Sequence, residues 1–312
     1  MKLKNTLALS LAAVMAAGLT ACGSGADTAS AASPAADSTA AESTEAAADT
    51  TAAPDGDGDP TTLTVAMECA YAPYNWTQND DANGAVEIRG SSDYAYGYDV
   101  MMAKKIGEAL GQKVQIVKLD WDSLIPAVMS GDVDCVIAGQ SITAERAAQV
   151  DFSDPYYYAS IVTLTKKDSA YANAASVADL AGATATSQLG TIWYDTCLPQ
   201  IPDAQLQAPA ETAPAMIMAL ESGTVDFICT DMPTAQGAVS KNPDLKILNF
   251  SGTDGDFQFA TEEERAENVN IGISVRKGDT ELLDAMNEVL SGMTEDDFNA
   301  LMDEAISIQP EI

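Results

Sequence analysis

The sequence has no histidine and few basic residues. It contains 15 Lys plus Arg against 47 Asp plus Glu, and its formal net charge is −32 at pH 7. Without histidine, Ser–His and Cys–His nucleophilic pairs are excluded, and the commonest metal ligand is missing. The scarcity of positive charge argues against a nucleic-acid partner, because such proteins meet phosphates with basic patches. Ligand binding or carboxylate chemistry remains, and no metal or cofactor is expected.

Long apolar runs are also scarce, and the one that stands out is at the N-terminus. Lys2 and Lys4 precede an apolar run at residues 7–19. This run is too short to span a bilayer, which takes about 20 residues, but it fits a secretory signal. It ends in Leu19-Thr20-Ala21-Cys22, which resembles the lipobox of bacterial lipoproteins. We therefore predict a signal peptide at residues 1–21 and lipidation of Cys22. The alternative is an ordinary secretory signal with an incidental cysteine.

Residues 22–60 lack the side chains that build a core. After Cys22 this stretch has no aromatic residue, no Leu, Ile, Val or Met and no base, whereas it has 13 Ala. Such a segment cannot bury enough apolar surface to offset the entropy of the chain, and we predict a disordered tether. Its Asp-Gly repeat at residues 55–59 looks briefly like a calcium loop. Because Pro60 and Ala66 stand where that loop needs Gly and Glu, an acidic spacer is the better interpretation.

Residues 61–312 alternate strand and helix patterns. Residues 63–67 and 113–118 are predicted strands, and residues 99–110 form an amphipathic helix that ends at Gly111. Two further helices begin at Thr280 and Thr294. This order predicts an α/β fold with a largely parallel sheet.

A weak internal repeat suggests two similar lobes. Residues 124–139 align with residues 216–231, and each copy predicts a helix, a Ser-Gly stop, a Val-Asp pair and a buried strand. In α/β sheets, ligands bind beyond the carboxyl ends of strands. Those ends are residues 138–139 in one copy and 230–231 in the other, which predicts a cleft between two lobes.

Several motifs resemble the family 3 solute-binding proteins of bacterial ABC transporters, the polar amino acid receptors. They are YAPY (71–74), GYDV (97–100), WDSL (121–124), SGDVD (130–134), GQSITAER (139–146), VDFSDPYY (150–157), DLAG (179–182), QLGT (188–191), SGTVDFICTD (222–231) and VRKGD (275–279). The resemblance covers residues 61–312 and implies a two-lobed, periplasmic-binding-protein-like fold of type II. In it, each lobe has a mostly parallel sheet flanked by helices. It implies that residues 61–161 and 271–312 form lobe 1 and residues 162–270 form lobe 2.

The resemblance also implies roles for single residues. Arg146 is expected to bind the α-carboxylate of an amino acid, with Gly139 and Ser141 beside it, and Asp231 to accept its α-ammonium group. Tyr71 and Trp121 are expected to wall the ligand side chain, and Gln188 and the turn at Thr191 to present backbone N–H groups. Glu68, three residues before Tyr71, is expected to favour a cationic or strongly polar ligand. The long segment 75–96 and Ile192, where the family often has Thr, depart from the pattern.

Each residue also has a simpler interpretation. By itself, Arg146 reads as a surface residue, Asp231 as a helix N-cap, Trp121 as a core residue and Asp99 as a helix cap. Four cysteines remain after Cys22, namely Cys69, Cys135, Cys197 and Cys229. Disulfides within a lobe are possible, but free buried thiols are favoured.

The resemblance implies a monomeric, non-enzymatic lipoprotein that delivers an amino acid to the permease subunits of an ABC importer. It would be anchored on the outer face of the cell membrane, and the long tether favours a Gram-positive-type surface. One alternative is an enzyme on the same fold, such as a cyclohexadienyl-type dehydratase with Glu68 as general acid. Another is a sensory ligand-binding domain. The identity of the amino acid stays open.

Overall fold

Strands and helices alternate along residues 61–310, the part of the chain that the computed structural model describes. The predicted signal peptide, Cys22 and tether lie outside the described residues. The strands are β1 (Thr62–Met67), β2 (Ala70–Tyr71), β3 (Asn75–Gln78), β4 (Val86–Glu87), β5 (Tyr94–Tyr96), β6 (Lys113–Lys118), β7 (Cys135–Val136), β8 (Asp151–Phe152), β9 (Ile161–Lys166), β10 (Thr184–Thr186), β11 (Gln205–Leu206), β12 (Phe227–Asp231), β13 (Leu245–Leu248) and β14 (Ser274–Val275). The α-helices are α1 (Tyr98–Leu110), α2 (Leu124–Ser130), α3 (Ala144–Ala147), α4 (Ala213–Glu221), α5 (Met232–Lys241), α6 (Glu262–Val269), α7 (Thr280–Ser291) and α8 (Glu295–Ile308).

Two five-stranded sheets carry the fold, and they have the same pattern. The first has the order β6-β1-β7-β14-β8 and the second the order β11-β10-β12-β9-β13. In both sheets the first three strands are parallel, and the last two add antiparallel pairs. The predicted two-lobed α/β fold is confirmed. The chain enters the second sheet through β9 and returns to the first sheet through β14. Both of these strands pair antiparallel with their neighbours.

A smaller sheet, β2-β3-β5-β4, takes three of its four strands from the segment 75–96, which departs from the family pattern. Its strands pair antiparallel, with Trp76 opposite Tyr96. The rings of these two residues meet edge to face, with centroids 5.6 Å apart. The segment therefore forms an ordered layer beside the first sheet.

The helix ends follow the sequence signals with one correction. Gly111 ends α1 at φ 68°, and the Thr294 side chain caps α8 together with Asp297. However, α1 is preceded by Gly97, and Asp99 lies inside its first turn, so the prediction of Asp99 as a helix cap is wrong. Helix α7 begins at Thr280, as predicted, and its cap is Asp279, whose carboxylate accepts the Leu282 N–H.

We propose that the lobes meet near residues 161 and 271. The chain passes from one sheet to the other close to both positions. Ile161 begins β9 in the second sheet, and Ile271 forms bridges with Ser141 and Tyr157 beside the first. Helix α8 contacts both α1 and α5, which belong to different lobes in this division. The C-terminal helix therefore packs across the two lobes.

Candidate functional site

Four of the predicted site residues lie where strands of the two sheets end. Glu68 follows β1, Gly139 lies just beyond β7, Gln188 lies just beyond β10, and Asp231 is the last residue of β12. These are the carboxyl ends of the parallel strands, the edge at which α/β sheets bind ligands.

The repeat explains why these ends correspond. In the first copy, the Asp134 carboxylate accepts the backbone N–H and hydroxyl of Thr64 at 2.7 and 2.5 Å. In the second copy, Asp226 accepts the same two groups of Thr184 at 2.8 and 2.6 Å. Each Val-Asp pair thus joins its strand to the preceding parallel strand, and the residues that follow these threonines occupy equivalent places.

Glu68 and Gln188 are such an equivalent pair, and they meet each other. The Gln188 Nε2 donates to both carboxylate oxygens of Glu68, at 3.1 and 3.3 Å. Glu68 is 4% exposed. Burial raises its pKa to about 7, against the opposing bond from Gln188. A positive charge placed beside this buried carboxylate would stabilise its ionised form.

Asp231 was predicted either to cap a helix or to contact the ligand, and its position allows both roles. It is the N-cap of α5, where its carboxylate accepts the Thr234 N–H at 2.9 Å and the Thr234 hydroxyl at 3.0 Å. The same carboxylate accepts the hydroxyl of Tyr71, which comes from the first lobe. Asp231 is fully buried, and burial raises its pKa. It is therefore both the cap of α5 and the acceptor of a hydroxyl from the first lobe.

Arg146 also bridges from one lobe to the other. Its Nη1 donates to the Ser141 carbonyl and its Nη2 to the Gly190 carbonyl, both at 2.9 Å. The guanidinium lies over the Trp121 ring, 5.3 Å from the centroid, and burial lowers its pKa to about 10. Among residues 61–310, no ion pair involves Arg146, Glu68 or Asp231. Because its bonds go only to carbonyl oxygens, the cation is available to an anion.

The structure brings most of the predicted residues around one small cavity of about 10 Å³. It is lined by Tyr71, Trp121, Gly139, Ser141, Arg146, Gln188, Thr191 and Trp193. Glu68 and Asp231 contact this wall through Gln188 and Tyr71. Trp193 was missed from the sequence, where nothing but its place after the QLGT motif could have indicated it.

Two of the predicted residues hydrogen-bond within the protein. The Thr191 hydroxyl donates to the Gln188 carbonyl at 2.7 Å, so it braces the turn. The backbone N–H of Gly139 donates to the Tyr156 hydroxyl at 3.0 Å, which leaves the carbonyl oxygen as the polar atom that Gly139 can offer. Tyr71 stacks on Tyr74 with ring centroids 4.9 Å apart.

A larger cavity of about 630 Å³ shares Trp121, Arg146 and Thr191 with the small one. Its other walls include the carboxylate residues Asp122, Glu145, Asp195, Glu264 and Glu267. The approach to Arg146 is therefore acidic, a field that raises the local concentration of cations.

Within residues 61–310, no cluster of three or more His, Cys, Asp or Glu side chains could hold a metal ion. In the same range, no helix is long and apolar enough to cross a membrane. Cys69, Cys135, Cys197 and Cys229 are buried and free, which agrees with the expectation of free thiols rather than disulfides.

Comparison with known proteins finds one family and several relatives. The family described as bacterial extracellular solute-binding proteins, family 3, matches residues 63–306. A probable histidine-binding protein of Campylobacter jejuni is 30% identical over 70% of this chain and 82% of its own. The arginine-binding extracellular protein ArtP of Bacillus subtilis is 28% identical over 74% of this chain and 80% of its own. The L-cystine-binding protein TcyA of the same species is 30% identical over 75% and 76%.

Solved structures show the same fold. An amino acid ABC transporter substrate-binding protein, AbpA of Streptococcus pneumoniae, bound to L-arginine, has a TM-score of 0.64 at 26% identity, covering 79% of this chain and 95% of its own. The ancestral amino acid-binding protein AncCDT-1, described as a precursor of cyclohexadienyl dehydratase, has a TM-score of 0.62 at 29% identity, covering 79% and 96%.

Proposed function

The chain belongs to the bacterial extracellular solute-binding proteins of family 3, and from this we propose that it captures a polar or cationic amino acid for an ABC importer. The amino acid would bind between the two lobes, which close on it, and would then pass to permease subunits in the membrane. The family is extracellular, which places this activity outside the cytoplasm. The observation that carries the proposal is the convergence of Arg146, Asp231 and Glu68 on one cleft.

The three charged groups match the ends of an amino acid. Arg146 offers a two-pronged donor to an α-carboxylate, and Asp231 offers an acceptor to an α-ammonium group. Because Arg146 and Asp231 come from different lobes, a zwitterion that contacts both favours the closed arrangement over the open one. Trp121, Tyr71 and Trp193 would enclose the side chain between these ends.

Glu68 points to the class of side chain. Its carboxylate is buried, it has an amide rather than a cation as its partner, and further carboxylates line the larger cavity. A ligand with an ammonium or guanidinium group would neutralise this charge, whereas an acidic side chain would be repelled. We propose a cationic or strongly polar ligand, with glutamate and aspartate disfavoured.

A thermal-shift screen of the mature domain against the common amino acids tests this function. A ligand that binds only the folded state raises stability by RT ln(1 + [L]/Kd), so a true ligand stands out. We expect the largest shift among L-arginine, L-lysine, L-histidine, L-cystine and L-glutamine. Tight binding of L-glutamate by wild type would contradict the charge preference, and no shift with any amino acid would contradict the function.

A dehydratase is a second candidate because of one observation. Glu68 has a pKa of about 7, which suits a general acid at neutral pH, and AncCDT-1 is among the structural relatives. Incubation of the mature domain with prephenate or arogenate separates the two functions. Product formation that Glu68→Gln abolishes would support the enzyme, and binding without turnover would support the receptor.

Anchoring belongs to the same proposal. The signal peptide, the lipobox and the tether would hold the domain by a lipid on Cys22 at the outer face of the cell membrane. This part of the proposal rests on the sequence of residues 1–60.

A further inference from the structure

Two motifs of the sequence, GYDV at 97–100 and the SDPYY part of VDFSDPYY, contribute no residue to the cleft wall, yet they meet beneath it. Asp99 is fully buried and accepts hydrogen bonds from Asn75 Nδ2 and from the Tyr156 hydroxyl, both at 2.7 Å. The Tyr156 hydroxyl in turn accepts the backbone N–H of Gly139 at 3.0 Å. A continuous chain of hydrogen bonds thus runs from Asn75 to the loop that lines the cleft.

The groups in this series of hydrogen bonds fix the direction in which each bond is donated. Asp99 as a carboxylate can only accept, so the Tyr156 proton must point to Asp99. The Tyr156 oxygen is then left with lone pairs alone, which suit the N–H of Gly139. Because the Gly139 N–H is used in this way, the residue presents its carbonyl oxygen, an acceptor, as its remaining polar atom.

The Gly139 loop transmits its position to the binding groups. Gly139 has φ +64°, and a Cβ at this residue would lie 2.8 Å from the Tyr71 ring, so the loop fits tightly against Tyr71. The Ser141 carbonyl, in the same loop, accepts the bond from Arg146 Nη1. A shift of this loop would therefore move both the aromatic wall and the guanidinium.

We propose that Tyr156, held by Asp99 and Asn75, is a positioning residue that sets the place and polarity of the Gly139–Ser141 loop and thereby the affinity for the amino acid. The inference rests on the proposed function. Among residues 61–310, the lining position that hydrogen-bonds the Tyr156 hydroxyl is Gly139, so Tyr156 acts on the ligand through the loop.

The Tyr156 hydroxyl can be removed without loosening the residue. Its backbone N–H donates to the Ile271 carbonyl at 2.9 Å, its carbonyl accepts the Tyr98 hydroxyl, and its ring stacks on Tyr98 with centroids 5.7 Å apart. Tyr156→Phe keeps these contacts. Tyr98→Phe is the matched control, because it removes a buried hydroxyl from the same pair of rings without touching the Gly139 N–H.

Two measurements test the role: titration calorimetry with L-arginine, L-histidine and L-cystine as probes, and amide hydrogen exchange at Gly139. For Tyr156→Phe we expect affinity about tenfold weaker and Gly139 exchange about tenfold faster, which is the scale of one lost hydrogen bond. Tyr98→Phe should change both by less than about threefold, within the lower range of such bonds. Asp99→Asn, which keeps an acceptor for Tyr156, should lose less affinity than Tyr156→Phe.

The outcomes separate this inference from the proposed function. If wild type binds a probe and Tyr156→Phe binds it as tightly as Tyr98→Phe does, the positioning role is overturned. If wild type binds none of the three probes, the proposed function fails for them, and the Gly139 exchange rates alone then support or overturn the control of the loop by Tyr156.

Discussion

At the scale of single residues, Arg146 offers the sharpest test of the cleft. Its guanidinium is held by two carbonyl oxygens and by the Trp121 ring, and none of these neutralises it. Removing the side chain would leave the carboxylate of a bound amino acid without a partner in a closed cleft. We expect Arg146→Ala to weaken binding of L-arginine by about 2–5 kcal/mol, the cost of leaving one partner of a desolvated pair unpaired.

The control for Arg146 is Arg89→Ala. Arg89 is exposed, and its Nη1 lies 3.5 Å from the Gln115 Oε1. Calorimetry should show wild-type affinity for Arg89→Ala, and circular dichroism should show a native spectrum for both variants. Unchanged affinity in Arg146→Ala would refute the assignment of the carboxylate site.

Glu68 should make the binding of a cation depend on pH. With a pKa of about 7 in the protein, its carboxylate is ionised above that pH and neutral below it. A cationic side chain gains only from the ionised form, so affinity for L-arginine should rise between pH 6 and pH 8. Titrations at several pH values should show this rise in wild type and a flatter profile in Glu68→Gln.

Neutral L-citrulline provides the matched probe for this profile. It has nearly the shape of arginine without the charge, so its affinity should lack the rise. Asp99, whose pKa burial raises to about 6, titrates nearby but is present in both proteins, and its effect cancels in the comparison. The same pH dependence for both probes, or for both proteins, would remove Glu68 from the site.

The same carboxylate has the opposite effect on folding stability. Its pKa is higher in the folded state than in the unfolded chain, so the folded state binds the proton more tightly. Stability without a ligand should therefore fall as pH rises from about 4.5 to 7, by at most about 3 kcal/mol from this group. Denaturant unfolding of Glu68→Gln should show a smaller fall over that window.

At the scale of elements, the repeat is held together by the Asp134 and Asp226 bonds. Asp134 is buried and receives two short bonds from Thr64, whereas Asp226 makes the same bonds to Thr184 with partial exposure. Asp134→Ala would leave the buried N–H and hydroxyl of Thr64 without this acceptor. We expect a loss of about 1–3 kcal/mol in the free energy of unfolding.

The neighbouring Asp132 supplies the control for that variant. It lies in the same turn and is exposed, and its carboxylate accepts the Ser130 hydroxyl at 2.8 Å. Urea unfolding should place Asp132→Ala within about 0.5 kcal/mol of wild type, as for other exposed substitutions. Equal losses in Asp132→Ala and Asp134→Ala would show that the turn, and not the bond to Thr64, carries the effect.

Element boundaries show which signals the sequence carries. Strand β6 and the end of α1 at Gly111 were predictable, because period-2 alternation and a left-handed glycine are local properties. The misassigned cap at Asp99 had a non-local cause. Its partners, Asn75 and Tyr156, are distant along the chain, and a carboxylate at a helix start reads as a cap unless such partners are known.

The placement of the proposed site residues was predictable to the same limit. Arg146, Asp231 and Gln188 were named because they stand in motifs, the last two at or just beyond strand ends, and the structure brings them to one cleft. Their partners in the other lobe were not predictable from local patterns, since the contact of Glu68 with Gln188 depends on how two separate sheets face each other. Trp193 and Tyr156 carry no local chemical signal, and the fold alone reveals where they lie.

At the scale of the whole molecule, attachment to the membrane is predicted to depend on a single residue. A chain with a net charge of −32 is repelled by anionic lipid surfaces, so its charge does not hold it at a membrane. Retention would then come from the lipid on Cys22, with residues 23–60 spacing the domain from the surface.

Cys22→Ala should accordingly leave the membrane fraction or accumulate as an unprocessed precursor. Ser24→Ala, beside it in the same tether, should be processed and retained like wild type. Fractionation with immunoblotting, together with incorporation of a labelled fatty acid, measures both properties. Wild type released as a soluble, unlabelled mature protein would favour the ordinary secretory signal. A mature-sized Cys22→Ala protein that stays with the membrane would instead require a contact from the acidic domain itself, which its charge opposes.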